Sequence, residues 1–139
     1  MLETKRINDQ VSVAGQITAA DVPALKAAGF TTIINNRPDA ESPEQPGGDE
    51  IAAAAREAGL AYHHIPLGRE GVSPDMVEKT RVALEGSDGA VLAFCRSGTR
   101  STTLWALSQA GKRPASEIIS SAASAGYDIS HLAGHLGEN

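Results

Sequence analysis

Apolar and polar positions along this chain fall into short blocks of two kinds. Val11-Ser-Val13, Thr31-Thr-Ile-Ile34, Leu60-Ala-Tyr-His-His-Ile65 and Ala90-Val-Leu-Ala-Phe94 are short and β-branched or continuously apolar, and they read as strands. Helical stretches lie between them. Thr18, with Asp21 three residues later, resembles a capping box and starts a helix to about Ala28, where Gly29 stops it. Asp49 is expected to cap a helix from Ile51 to Ala58, closed by Gly59. Ser73-Pro74-Asp75 offers an N-cap and a proline at the first position of a helix to about Leu84. Further helices are expected after Arg100 to about Ala110, from Ser116 to Ala125, and briefly near His131 to Leu136. Residues 40–48 carry two prolines and two glycines and read as a surface loop.

Strand and helix alternate with short connections, so right-handed crossovers should build a mostly parallel sheet with helices on both faces, a three-layer α/β/α fold. Ligands of such sheets bind beyond the C-terminal ends of the strands. At 139 residues the chain fits a single domain, 1–139, that buries a core without disulfide, metal or obligate partner. Hydrophobic residues make up 41% but aromatics only 4%, so Ala, Val, Leu and Ile should fill that core.

Seventeen acidic residues against twelve basic ones, a formal charge of −5, argue against broad binding to nucleic acid or to an anionic membrane. No stretch approaches the ~20 apolar residues of a membrane span, and the first ten residues lack a signal-peptide core. One cysteine cannot close an intramolecular disulfide, which makes the reducing cytosol the expected compartment. No signature of an oligomeric state is present.

The candidate chemistry sits in Cys95-Arg96-Ser97-Gly98-Thr99-Arg100-Ser101, which leaves a strand and enters a helix. A thiol of ordinary pKa is mostly protonated at neutral pH, so a nucleophilic Cys95 needs a positive field. Backbone amides from Arg96 through Ser97, Gly98 and Thr99 to Ser101 can supply one, reinforced by the start of the following helix, and such a nest binds a tetrahedral dianion. Arg100 adds a two-pronged donor for the oxygens of a phosphoryl group. Gly98 permits close backbone approach, and Ser101 is placed to donate to the thiolate, with Thr102 as the alternative. A buried, inert thiol at a strand end is the competing reading of Cys95.

Phe94-Cys-Arg-Ser-Gly-Thr-Arg-Ser101, with Ile33-Ile-Asn-Asn-Arg-Pro-Asp39 and Ile65-Pro-Leu67, resembles the bacterial dual-specificity-phosphatase-like domains related to the beta-lactamase-hydrolase-like proteins. The resemblance runs from Val11 to the helix after Arg100 and implies a cysteine-phosphatase-like fold. It implies Cys95 as nucleophile, Arg100 as the oxyanion-binding arginine, Ser101 as the assisting hydroxyl and Arg96 to Thr99 as the cradle. Asn36 and Arg37 match the polar turn beside the pocket. Familiar tyrosine and dual-specificity phosphatases place one residue more between cysteine and arginine than the four found here, a gap that single-domain rhodanese sulfurtransferases share. Such phosphatases also carry an aspartate as general acid after the strand matching Leu60–Ile65, whereas Gly68-Arg69-Glu70-Gly71 offers Glu70. A solvated loop carboxylate is the competing reading of Glu70. Arg37 reads as a second anion-binding group or as a surface turn residue.

His63 and His64 are neighbours on a strand and so face opposite sides. His131 and His135 have a spacing that can hold a metal on one helix face, but no metalloprotease glutamate accompanies them, and no metal site is expected. Trp105, Leu104 and Leu107 read as the buried face of the helix after the loop. No nucleotide fingerprint or Walker lysine occurs, and no cofactor is expected. The leading expectation is a phosphatase-like hydrolase acting on a small-molecule or protein phosphate ester through a phosphocysteine. The alternatives are a rhodanese-like sulfurtransferase or persulfide carrier using Cys95, and a non-catalytic phosphate-binding module.

Overall fold

A computed structural model describes residues 2–136. Five strands form one sheet: β1 (Thr4–Arg6), β2 (Val11–Ala14), β3 (Phe30–Asn35), β4 (Ala61–His64) and β5 (Ala90–Phe94), in the order β1-β2-β5-β3-β4. Only β1 runs antiparallel to its neighbour; every other pairing is parallel. The helices are α1 (Val22–Ala27), α2 (Gly48–Ala58), α3 (Pro74–Glu85), α4 (Thr99–Ser108) and α5 (Ala115–Ser124).

Alternation along the strands divides the core in two, because successive side chains leave opposite faces of the sheet. Val11, Val13, Ile34, Val91 and Ala93 face Leu84, Leu104, Trp105 and Ile118, which α3, α4 and α5 supply. Ala14, Ile33, Leu92 and Phe94 turn the other way, onto Val22, Leu25, Ile51 and Ala55 of α1 and α2. The three-layer α/β/α expectation holds, and β5 lies at the centre, between β2 and β3.

The structure corrects several local expectations. Strand β1 carries no sequence signal, because all three of its residues are exposed and it has no apolar alternation. The helix expected from Thr18 opens as a 3-10 turn at Ala19–Asp21 and becomes α-helical only from Val22, ending at Ala27. Asp21 does accept the Thr18 amide, at 2.8 Å. Asp49 does not cap α2. The helix begins earlier, at Gly48, whose N–H is taken at 2.8 Å by Asp39, a residue of the polar turn after β3. Asp49 instead lies in the first turn, where a carboxylate favours the helix dipole. The last helix is a 3-10 segment, Ser130–His135. Ser73 caps α3 as read, accepting the Met76 N–H at 3.2 Å.

Candidate active site

Cys95 leaves the sheet at its centre, where pairing continues past the end of β5. The Cys95 amide donates to the Ala14 carbonyl at 3.3 Å, and Asn36 donates to Phe94 at 2.8 Å. The thiol is fully buried. Its backbone then turns through Gly98, whose φ of +94° is the left-handed region that glycine adopts freely, and α4 begins at the next residue. The Gly98 N–H donates to Cys95 Sγ at 3.0 Å. The amides of Arg96, Ser97, Thr99, Arg100 and Ser101 have no acceptor among the described residues. They are donors at the start of a helix, where the dipole is positive. On the β2 side Gly15 lies against the loop so closely that a Cβ there would sit 2.9 Å from the Arg96 carbonyl oxygen.

Arg100 stands in the first turn of α4, and its guanidinium is held at one end. Nη1 and Nη2 donate to Glu41 Oε2 and Oε1 at 2.8 and 2.9 Å, and Nη1 also donates to the Leu67 carbonyl at 2.8 Å. These bonds use the end-on fork. The side-on fork, Nε with the remaining Nη2 hydrogen, keeps its donors, in the geometry that matches two oxygens of a phosphoryl group. Glu41, followed by the field of Cys95, stabilises the charged guanidinium and raises its pKa.

Glu41, which carries no sequence signal beyond its place in a surface loop, joins the candidate site through Arg100. Its Oε1 also accepts Arg37 Nε at 2.9 Å. The Arg100 hydrogen bond, together with Arg37, outweighs partial burial and lowers the Glu41 pKa to about 2. Arg37 is buried, 5% exposed, so it is not a surface turn residue. Its Nη1 donates to Gln16 Oε1 at 3.0 Å. The chain Gln16, Arg37, Glu41, Arg100 therefore fixes the arginine of the loop from behind. Ala40, at a φ of +63°, turns the backbone just before Glu41, a conformation uncommon for a residue with a side chain.

Glu70 is exposed and lines an open cleft of about 660 Å³ together with Arg69, Arg96, Arg100, Glu41 and Met76. The bond from Arg100 to Leu67 ties the segment that carries Glu70 to the loop. The Ser101 hydroxyl is buried and has no partner among the described residues. An orphaned buried hydroxyl costs on the order of 1–3 kcal/mol, which a bound anion or leaving group would offset. Thr102, the alternative to Ser101, is committed to the Gly98 carbonyl at 2.8 Å. Leu104 and Trp105 are buried in the core, as read.

The family described as "Beta-lactamase hydrolase-like protein, phosphatase-like domain" matches residues 3–112. The chain belongs to this family. The beta-lactamase hydrolase-like protein of Agrobacterium fabrum is 36% identical over 130 residues, which are 92% of this chain and 30% of that protein. The chain thus spans about a third of the length of the curated relatives it matches. A crystal structure from Neisseria meningitidis, solved as a candidate phosphatase, is 32% identical with a TM-score of 0.80 and covers 95% of this chain and 94% of its own. PTPMT1, solved in complex with PI(5)P, shares the fold with a TM-score of 0.76 at 15% identity, over 96% of this chain and 91% of its own.

Within this phosphatase-like domain no histidine hydrogen-bonds to the cysteine loop among the described residues. His64 Nε2 is 3.2 Å from the Arg37 carbonyl oxygen, and His63 lines a shallow hollow with Glu78 and Val82. His131 and His135 fall on a 3-10 segment, where residues three apart rather than four share a face. Among the described residues no three His, Cys, Asp or Glu side chains cluster as metal ligands, and no helix is long and apolar enough to cross a membrane.

Proposed function

We propose that this chain is a cysteine-dependent phosphatase acting on phosphate esters through a phosphocysteine. The observation that carries the reading is the half-used guanidinium of Arg100. Glu41 holds its end-on fork, while the side-on fork remains for oxygens beside Cys95 and the unpartnered loop amides. In the first step Cys95 Sγ attacks phosphorus, the bond from phosphorus to the ester oxygen breaks, and the departing oxygen takes a proton from Glu70. Arg96, Ser97, Gly98, Thr99 and Arg100 hold the equatorial oxygens as charge develops on them. In the second step water attacks phosphorus, gives its proton to Glu70, and displaces the Cys95 thiolate, which Ser101 stabilises as it leaves. Arg37 acts through Glu41, as a positioning residue rather than an anion ligand. The open cleft admits a phosphorylated small molecule or a phosphorylated side chain.

Hydrolysis of a generic aryl phosphate by the wild type and by Cys95→Ser tests the proposal. Turnover in the wild type that vanishes in the serine variant supports it. No turnover, with a sulfane sulfur appearing on Cys95 when a thiosulfonate donor is supplied, contradicts it and favours sulfur transfer. The role of Glu70 is tested separately with Glu70→Gln. In the first turnover the variant should release the leaving group of an alkyl phosphate, which needs a proton, on the order of 10²-fold more slowly, and that of an activated aryl phosphate at nearly the wild-type rate. Equal slowing of both releases would remove Glu70 as the acid of the first step.

A further inference from the structure

The peptide between Ser97 and Gly98 presents two groups to two different partners. Its N–H, on Gly98, donates inward to Cys95 Sγ at 3.0 Å, and its carbonyl, on Ser97, accepts outward from Tyr127 Oη at 2.8 Å. The described residues contain no cis peptide bond, so these two groups point in opposite directions. Holding the carbonyl outward therefore holds the N–H on the sulfur.

Gly98 does not fix this orientation by itself. At a φ of +94° it sits in a region that glycine occupies about as readily as the negative one. Rotating the peptide by half a turn would carry it into the negative region and swing the Ser97 carbonyl oxygen toward the sulfur, where it would repel a thiolate. Tyr127 opposes that rotation. Its hydroxyl lies so close to Gly98 that a Cβ there would collide with it. Its own backbone is anchored just after α5, where the Tyr127 amide donates to Ala122 at 2.9 Å. Lys5 Nζ stands 5.7 Å from the ring centroid, within reach of a cation–π contact. Burial, then the field of Cys95, raise the pKa of the phenol, so it keeps its proton and remains a donor.

We propose that Tyr127 is a positioning residue that locks the peptide between Ser97 and Gly98 with its N–H on Cys95, and so stabilises the thiolate. Tyr127 lies beyond residues 3–112, the part of the chain that the family shares. The inference rests on the reading of Cys95 as a nucleophile, but its test needs no substrate. The field of Cys95 reaches Arg100 on α4 and Tyr127 beyond α5, and Arg100 is unchanged in both variants below. Neither Tyr127→Phe nor Tyr127→Leu changes a formal charge at neutral pH.

The chain has a single cysteine, so the ultraviolet absorbance of its thiolate can be titrated against a Cys95→Ser reference. With the thermal midpoint recorded in parallel, Tyr127→Phe is expected to move the midpoint of thiolate formation upward. Tyr127→Leu, which also lacks the donor but packs differently, should move it by a similar amount. An unchanged midpoint in folded Tyr127→Phe, or a shift in Tyr127→Leu alone, would overturn the proposal, the latter because packing rather than the hydroxyl would be responsible. A wild type that turns over no phosphate ester would contradict the phosphatase reading and leave this titration untouched.

Discussion

Glu41 is the residue on which the geometry of the loop turns. It joins Arg37, which is buried, to Arg100, whose remaining fork is the one proposed to take the substrate oxygens. Glu41→Gln keeps the shape but removes the charge and one acceptor, so the arginine should wander from its productive orientation. Misplacement of this kind typically costs 10- to about 100-fold, and kcat/KM for a phosphate ester should fall by about that factor; an unchanged value would mean that Arg100 needs no such support. The same pair predicts a pH dependence of stability. The Glu41 carboxyl sits at about 2 in the fold against an ordinary 4.5, so its stabilising contribution is fully present above the ordinary value and fades as pH falls toward 2. The difference in thermal midpoint between wild type and Glu41→Gln should accordingly close between those limits. A constant difference would assign the effect to packing. Cys95, Arg100 and Ser101 were legible in the sequence because their spacing along one turn is itself the signal. Glu41 was not, because its partner lies 59 residues away and its neighbours, prolines and glycines, mark only a loop.

At the scale of elements, the loop between β3 and α2 is held by its own side chains as firmly as a helix end. Asp39 caps Gly48 at 2.8 Å, and Gln45 bridges the loop, donating to the Pro38 carbonyl at 2.8 Å and accepting from the Glu41 amide at 3.0 Å. Asp39→Ala should destabilise the protein by about 1 kcal/mol, the usual worth of a helix cap, measured by urea unfolding. No loss would mean that the amides at the start of α2 are satisfied by water. Local signals predicted α3 well, because Ser73 and Pro74 stand next to the helix they begin. They failed at α2, where the cap comes from nine residues upstream, and at β1, whose residues are all exposed and whose pairing with β2 is the only evidence of a strand.

Over the whole molecule, the order β1-β2-β5-β3-β4 brings four parallel strand ends to one edge, with Cys95 at the end of the central strand, β5. The segments that continue those strands supply the site: Gly15 and Gln16 after β2, Asn36 to Glu41 after β3, Leu67 to Glu70 after β4, and the cysteine loop after β5. Alternating strands and helices made that arrangement legible from the sequence. Which loops would touch was not, because contacts between Arg100, Glu41 and Leu67 depend on side-chain reach across the sheet edge rather than on any local pattern. The chemistry assigned to this edge requires a covalent intermediate. Rapid acid quench of the protein during turnover of an aryl phosphate, followed by mass spectrometry of the Cys95 peptide, measures it directly. One phosphoryl group is expected on Cys95, absent in Cys95→Ser and more abundant in Glu70→Gln, where the attack of water is slowed. Turnover with an unmodified Cys95 at every quench time, or with the phosphoryl group on another residue, would contradict it.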